Sequence, residues 1–151
     1  MLKLITLATA LTGIAAASAI TVPAAASTAD TPAALEVAFE GIESPTGQIM
    51  LSVFDNEAAH DADGKPVRVA AVAVEGDRAV VRFEGLAPGS YAIKTFHDVD
   101  GNGEMATNPF GMPLEPFAFS NNAKPEGGPA RWQAAHFTVT AGANAVSITI
   151  Q

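Results

Sequence analysis

Cysteine is absent from all 151 residues, which excludes disulfides, thiolate metal sites, thiol catalysis and a lipidated cysteine anchor. Basic residues are scarce: 8 Lys and Arg stand against 16 Asp and Glu, a formal net charge of −8. Such a chain has no cationic stripe to neutralise phosphates, so nucleic acid is disfavoured as a partner and an anionic membrane surface would repel it. Divalent cations and cationic partners are the compatible classes. Histidine is sparse too: His60, His97 and His136 stand far apart, with no H-E-x-x-H pair. No run reaches the ~20 apolar residues of a membrane span, and beyond the leader no stretch repeats with a strong helical period.

Lys3 followed by the charge-free run Leu4 to Ala17 and the small-x-small triplet Ala17-Ser18-Ala19 reads as a secretory signal peptide, residues 1–19. Ala24-Ala25-Ala26 offers a second cleavage triplet, and residues 20–33, rich in Ala, Thr and Pro, read as a disordered leader. The expectation is a periplasmic or extracellular protein without a stable membrane anchor, monomeric, with one domain over 34–151. Loss of Lys3 with the signal would take the charge to −9.

The domain reads as short strands separated by turns. Leu35, Val37 and Phe39 alternate with polar or small residues, and so do Ile49, Leu51 and Val53. Ser44-Pro45-Thr46-Gly47 between them predicts a hairpin. Val67 to Val74, nearly all apolar, predicts a strand covered on both faces, turned by Glu75-Gly76-Asp77 into a strand bearing Ala79, Val81 and Phe83. A Pro88-Gly89 turn launches a strand with Tyr91, Ile93 and Thr95 on one face, and Ala135 to Thr140 and Ala145 to Ile150 complete the set. About seven strands with turns at this spacing predict an all-β antiparallel sandwich.

The strand from Tyr91 runs into His97-Asp98-Val99-Asp100-Gly101-Asn102-Gly103-Glu104. Oxygen ligands at alternate positions before a glycine form the front half of an EF-hand calcium loop: Asp98, Asp100 and Asn102 at positions 1, 3 and 5, Gly103 at 6, and the Glu104 carbonyl at 7. The back half is missing, because position 9 is Ala106 and position 12 is Pro109. Thr107, Asn108 or Glu115 would complete the shell for Ca²⁺ if the chain folds back after Phe110. Two clearly placed carboxylates imply an affinity of ~10⁻⁴ to 10⁻³ M. In the competing reading, Asp98, Asp100 and Asn102 simply cap their own backbone N–H groups as Asx-turns.

Other clusters carry weaker signals. Asp55-Asn56-Glu57 with His60-Asp61-Ala62-Asp63-Gly64 matches a fragment of the calcium pattern and reads as a solvated loop. The three histidines admit a transition-metal alternative, and His97 with Ser120 admits a hydrolase or accessory-enzyme alternative. The aromatics Phe110, Phe117, Phe119 and Trp132 either seal the rim of the core or, with Asn121-Asn122, bind a sugar or peptide.

The turn Pro88-Gly89-Ser90-Tyr91 resembles that of immunoglobulin-like and transthyretin-like carrier domains. More extensively, Gly47-Gln48-Ile49, Val53-Phe54-Asp55, Pro88-Gly89-Ser90-Tyr91-Ala92 and the run from His97 to Ala123 resemble the secreted bacterial family of domain of unknown function 2141. In that run Phe96-His97-Asp98, Asn102-Gly103, Thr107-Asn108, Gly111-Met112-Pro113, Glu115 and Phe119-Ser120-Asn121-Asn122 fit the family pattern. Ala106, where the family commonly has aspartate, and Pro116-Phe117-Ala118, where it has glycines about an aromatic, depart from it. The resemblance implies an exported sandwich of immunoglobulin-like or transthyretin-like type and no established activity. The expected function is therefore non-enzymatic, a calcium-stabilised loop serving contact with a protein, peptide or carbohydrate ligand or with the cell envelope.

Overall fold

The computed structural model describes residues 32–151; the expected signal peptide and most of the leader lie outside them. Chain order is β1 (Ala33–Glu40), β2 (Gln48–Phe54), α1 (Glu57–Asp61), β3 (Arg68–Ala73), β4 (Ala79–Leu86), β5 (Gly89–Asp98), β6 (Phe117–Phe119), α2 (Trp132–Ala135), β7 (Phe137–Val139) and β8 (Gly142–Thr149). One sheet has the order β4-β1-β8 and the other β3-β2-β5-β6. β7 pairs with Gly89 to Tyr91 and β6 with Lys94 to Phe96, so both lie along β5. The fold is an all-β sandwich.

Period-two alternation explains the core. Leu35, Val37 and Phe39 from β1 meet Ile49, Leu51 and Val53 from β2 and Tyr91 and Ile93 from β5, with Val139 and Ile148 completing the buried layer between the sheets. Ala92, the intervening residue, faces a second cluster with Phe54, Phe119, Ala130, Trp132 and Ala135. There α1 and α2 cover the outer face of the β2–β5 sheet.

Four expectations change. β1 and β2 belong to different sheets, so Ser44 to Gly47 is an arch over the end of the sandwich and not a hairpin turn; Glu75-Gly76-Asp77 likewise carries the chain from one sheet to the other. β1 and β8 run parallel, from Ala33 opposite Gly142 to Glu40 opposite Thr149, so the sandwich is not wholly antiparallel. A parallel pair needs a long crossover, and here almost the whole domain supplies it. β3 is an edge strand with Val69 68% exposed; its Ala and Val residues occupy both faces and hide which one is wet. Finally, α1 and α2 are one turn each, too short to show a period. α1 is nevertheless marked by its cap, Asn56 Oδ1 accepting the Ala59 N–H at 2.8 Å.

Tyr91 closes the turn that begins β5. Its hydroxyl donates to the Ala87 carbonyl at 2.8 Å, and burial is the main influence raising the phenol pKa. Tyr91→Phe is expected to cost about 1 kcal/mol, the net value of one hydrogen bond, as a lower urea midpoint at unchanged slope.

Candidate metal centre

β5 lies inside its sheet and ends at Asp98, in register opposite Gln48, the first residue of β2. Gln48 Nε2 donates to Asp98 Oδ2 at 2.7 Å. Past this point the chain winds around the carboxylate. Oδ1 accepts the N–H groups of Gly101 (2.8 Å) and Asn102 (3.1 Å), and Oδ2 that of Gly103 (2.8 Å). Four donors thus compensate a carboxylate that is 0% exposed. The Gln48 amide holds the Asp98 carboxyl below the usual range; burial opposes this, and the Gly103, Gly101 and Asn102 N–H groups reinforce it.

The rest of the loop repeats the device at its surface. Asp100 Oδ1 accepts the Asn102 N–H (3.1 Å) and Oδ2 the Asn102 side-chain amide (2.9 Å), while Asn102 Oδ1 accepts the Glu104 N–H (2.7 Å). The Asx-turns of the competing reading are therefore present, and they present the carboxylates together. Glu115 completes the group after the chain folds back: Oε1 accepts the Val99 N–H at 3.0 Å and Oε2 the Ala106 N–H at 2.9 Å. Carboxylate oxygens of Asp98, Asp100 and Glu115 lie within 4.8 Å of one another, the one such group of three acidic or histidine side chains among the described residues.

Glu115 thus returns to the side of Asp98 and Asp100 after the fold-back. Each of its oxygens, like each of those of Asp100, accepts one hydrogen bond and keeps one acceptor site free, whereas Asp98 has all four committed. Asp98 organises the loop, and Asp100 and Glu115 are the carboxylates open to a cation. The Asn108 side chain is engaged in the fold-back turn, where its Oδ1 accepts the Phe110 and Met112 N–H groups at 3.0 Å each. Thr107 bridges to Pro113 within that turn. Glu104 is exposed and Asn102 is engaged locally. The residue that sequence reasoning passed over is Gln48, although it sits in the Gly47-Gln48-Ile49 motif.

The histidines do not converge. His97 Nε2 donates to the Thr46 carbonyl at 2.7 Å, securing the arch between sheets. Ser120 Oγ accepts the Ile93 N–H at 2.8 Å and donates to the Ala135 carbonyl at 2.6 Å; Ile93 precedes His97 by four residues, roughly 13 Å of strand. Ser120 is thus a buried pin between β5 and α2. His60 is buried between Phe54 and Trp132, ring centroids 5.4 and 5.9 Å away, with Nδ1 2.8 Å from Asp61 Oδ1. Asp61 Oδ1 also accepts the Trp132 N–H at 2.8 Å, joining α1 to α2, and the His60 bond followed by the Trp132 bond holds its carboxyl low. His136 stacks on Trp132 at 5.7 Å. The second acidic cluster is solvated at Asp55, Glu57 and Asp63, as expected, but it contains a capped one-turn helix with His60 buried, and Asp63 pairs with Lys94.

Phe119 and Trp132 pack into the second cluster, and Phe117 meets Phe119 edge to face at 5.8 Å. The amides named as a sugar platform bond to backbone: Asn121 Nδ2 to the His136 carbonyl (2.6 Å), Asn122 Oδ1 to the Thr149 N–H (2.8 Å). Beside them, Phe117, Phe119, Ala123, Lys124, Pro125 and Gln151 border a cavity of about 270 Å³.

The bacterial family described as "Uncharacterized protein conserved in bacteria (DUF2141)" matches residues 37–147. Comparison with curated proteins and with solved structures gave no match.

Proposed function

The chain belongs to the uncharacterised bacterial family DUF2141, and from that premise we propose an exported, non-enzymatic β-sandwich whose Asp98 loop takes Ca²⁺ to stiffen a ligand-contacting or envelope-contacting segment. The observation that carries the reading is the meeting of Asp98, Asp100 and Glu115 within 4.8 Å, from the end of a strand, its loop and a fold-back. Three carboxylates so close repel one another, and a hard cation with oxygen ligands relieves that repulsion. Asp100 and Glu115 provide the open oxygens and Asp98 the fixed loop. Two open carboxylates make a weak site, about 10⁻⁴ to 10⁻³ M, the range of extracellular modules.

Calorimetric titration of the chelator-treated protein with CaCl₂ tests this. Saturable binding in that range is expected, with a Tm that climbs with calcium, as mass action requires. Asp100→Asn is the informative variant, since Asp100 is exposed and bonds only to Asn102. It should fold like wild type and bind at least tenfold more weakly. Heat flow at millimolar calcium no different from that of Asp100→Asn would leave the carboxylates as loop caps.

A further inference from the structure

Between Glu104 and Glu115, Met105 to Leu114 is a run of ten residues with no charge, in a chain that otherwise carries −8. It folds into a finger: Thr107 bridges Pro113, and the Leu114 N–H donates to the Ala106 carbonyl at 2.8 Å. Phe110 at its tip is 90% exposed, and Met112 and Leu114 on its returning arm are 63% and 66%, three of the five large apolar side chains most open to water among the described residues. A contiguous exposed apolar group of this kind marks an interaction site.

The backbone limits how deep the finger could go. From Asn108 to Leu114 every N–H is bonded within the finger or is missing because the residue is proline. Asn108 donates to the Met112 carbonyl, Gly111 to the Asn108 carbonyl and Leu114 to that of Ala106, while Phe110 and Met112 donate to Asn108 Oδ1 and Pro109 and Pro113 have no N–H. Its donors can therefore leave bulk water, whereas the carbonyls of Pro109, Phe110, Gly111 and Pro113, which take no donor within the finger, keep the tip in the hydrated headgroup region.

We propose that the finger is a reversible lipid-insertion tip, with Phe110, Met112 and Leu114 entering the interfacial region of a zwitterionic bilayer. Glu104, Asp100 and Glu115 form an acidic collar below it, complementary to the cationic ends of choline or ethanolamine headgroups, whereas anionic headgroups are repelled by the net charge. Insertion reaches only the headgroup and upper acyl boundary, so three side chains give a partition constant below the roughly 10⁴ M⁻¹ of a single myristoyl chain. It needs no bound cation, so it stands or falls separately from calcium binding.

The test is co-sedimentation of the purified protein with phosphatidylcholine vesicles in chelator. Binding at millimolar lipid is expected, weaker on phosphatidylglycerol. Phe110→Ser with Leu114→Ser should reduce partitioning by at least tenfold, since each large side chain withdrawn from water is worth about that much, with Tm unchanged because neither residue is packed. Phe110→Trp should show a blue-shifted emission component quenched by brominated acyl chains, above a constant background from buried Trp132. Wild type remaining in the supernatant, or a double variant that sediments like wild type, overturns the proposal.

Discussion

Replacing Gly47 with alanine is expected to unfold the domain or reduce its stability by roughly 5 kcal/mol or more, a large share of what a domain this size possesses. A Cβ at Gly47 would sit 2.1 Å from the Asp98 carbonyl oxygen and 2.8 Å from both Cα and O of Val99. All three are backbone atoms at the junction of β5 with the acidic loop, so no side-chain rotation relieves the overlap. The φ of +74° adds strain that alanine meets anywhere in the left-handed region, about 1 kcal/mol. Gly103 separates the two effects, having φ +81° but nothing within 4 Å of its would-be Cβ. Gly103→Ala should therefore lose only about 1 kcal/mol. Urea unfolding of both variants decides the matter; equal losses would mean that conformational strain, and not the close approach to Asp98, makes glycine necessary at 47.

Asp98→Asn should lower Tm at neutral pH by roughly 10 °C in chelator and flatten its dependence on acid. Asparagine keeps one acceptor oxygen but turns an amide toward two of the four donors that Asp98 satisfies. The folded Asp98 carboxyl is held below its unfolded value of about 3.9. Its stabilisation is therefore complete above that pH and is lost as pH falls through the lower, folded value. Wild type should weaken progressively below about pH 4, and the difference from Asp98→Asn should shrink there. Asp61 is held low as well, so some acid dependence persists in the variant. Melting curves from pH 3 to 7 that run parallel for the two proteins would show that the ionised form of Asp98 contributes nothing.

Both predictions concern one junction, and it was only half legible in the sequence. The alternation of Leu35, Val37 and Phe39, or of Ile49, Leu51 and Val53, reports a strand and its buried face because that information is local. Which strands pair is not local: the Ser44 to Gly47 turn signal suits a hairpin as well as an arch, and only the assignment of β1 and β2 to different sheets distinguishes them. The same limit applies to the candidate site. Asp98 and Asp100 were visible through their spacing, and Glu115 only as one of three oxygen-bearing residues, with Thr107 and Asn108, that a fold-back after Phe110 could return. Asn108 looked like a ligand because its residue type fits, whereas its amide closes the turn that brings Glu115 home. Gln48 carries no spacing signal toward Asp98, since β-register alone places them opposite. His60, read as part of a wet loop, is buried between Phe54 and Trp132, which the sequence hides because a one-turn helix leaves too few residues to display an apolar face.

The parallel pairing of β1 with β8 also sets an order of events. Asn144 reaches the Ala34 carbonyl across 110 residues of sequence, so the first strand waits for the last. Until residue 149 has been made, β1 can pair only with β4, and Leu35, Val37 and Phe39 lack the Val146 and Ile148 side of their cover. Closing so long a loop adds little to its equilibrium cost, which grows only with the logarithm of length. It does slow the search, because non-local pairing must precede its reward. The β1–β8 pairing can thus form only once the last strand is present, and removal of that strand is expected to leave the Leu35, Val37 and Phe39 face short of its cover, seen as loss of a cooperative urea transition.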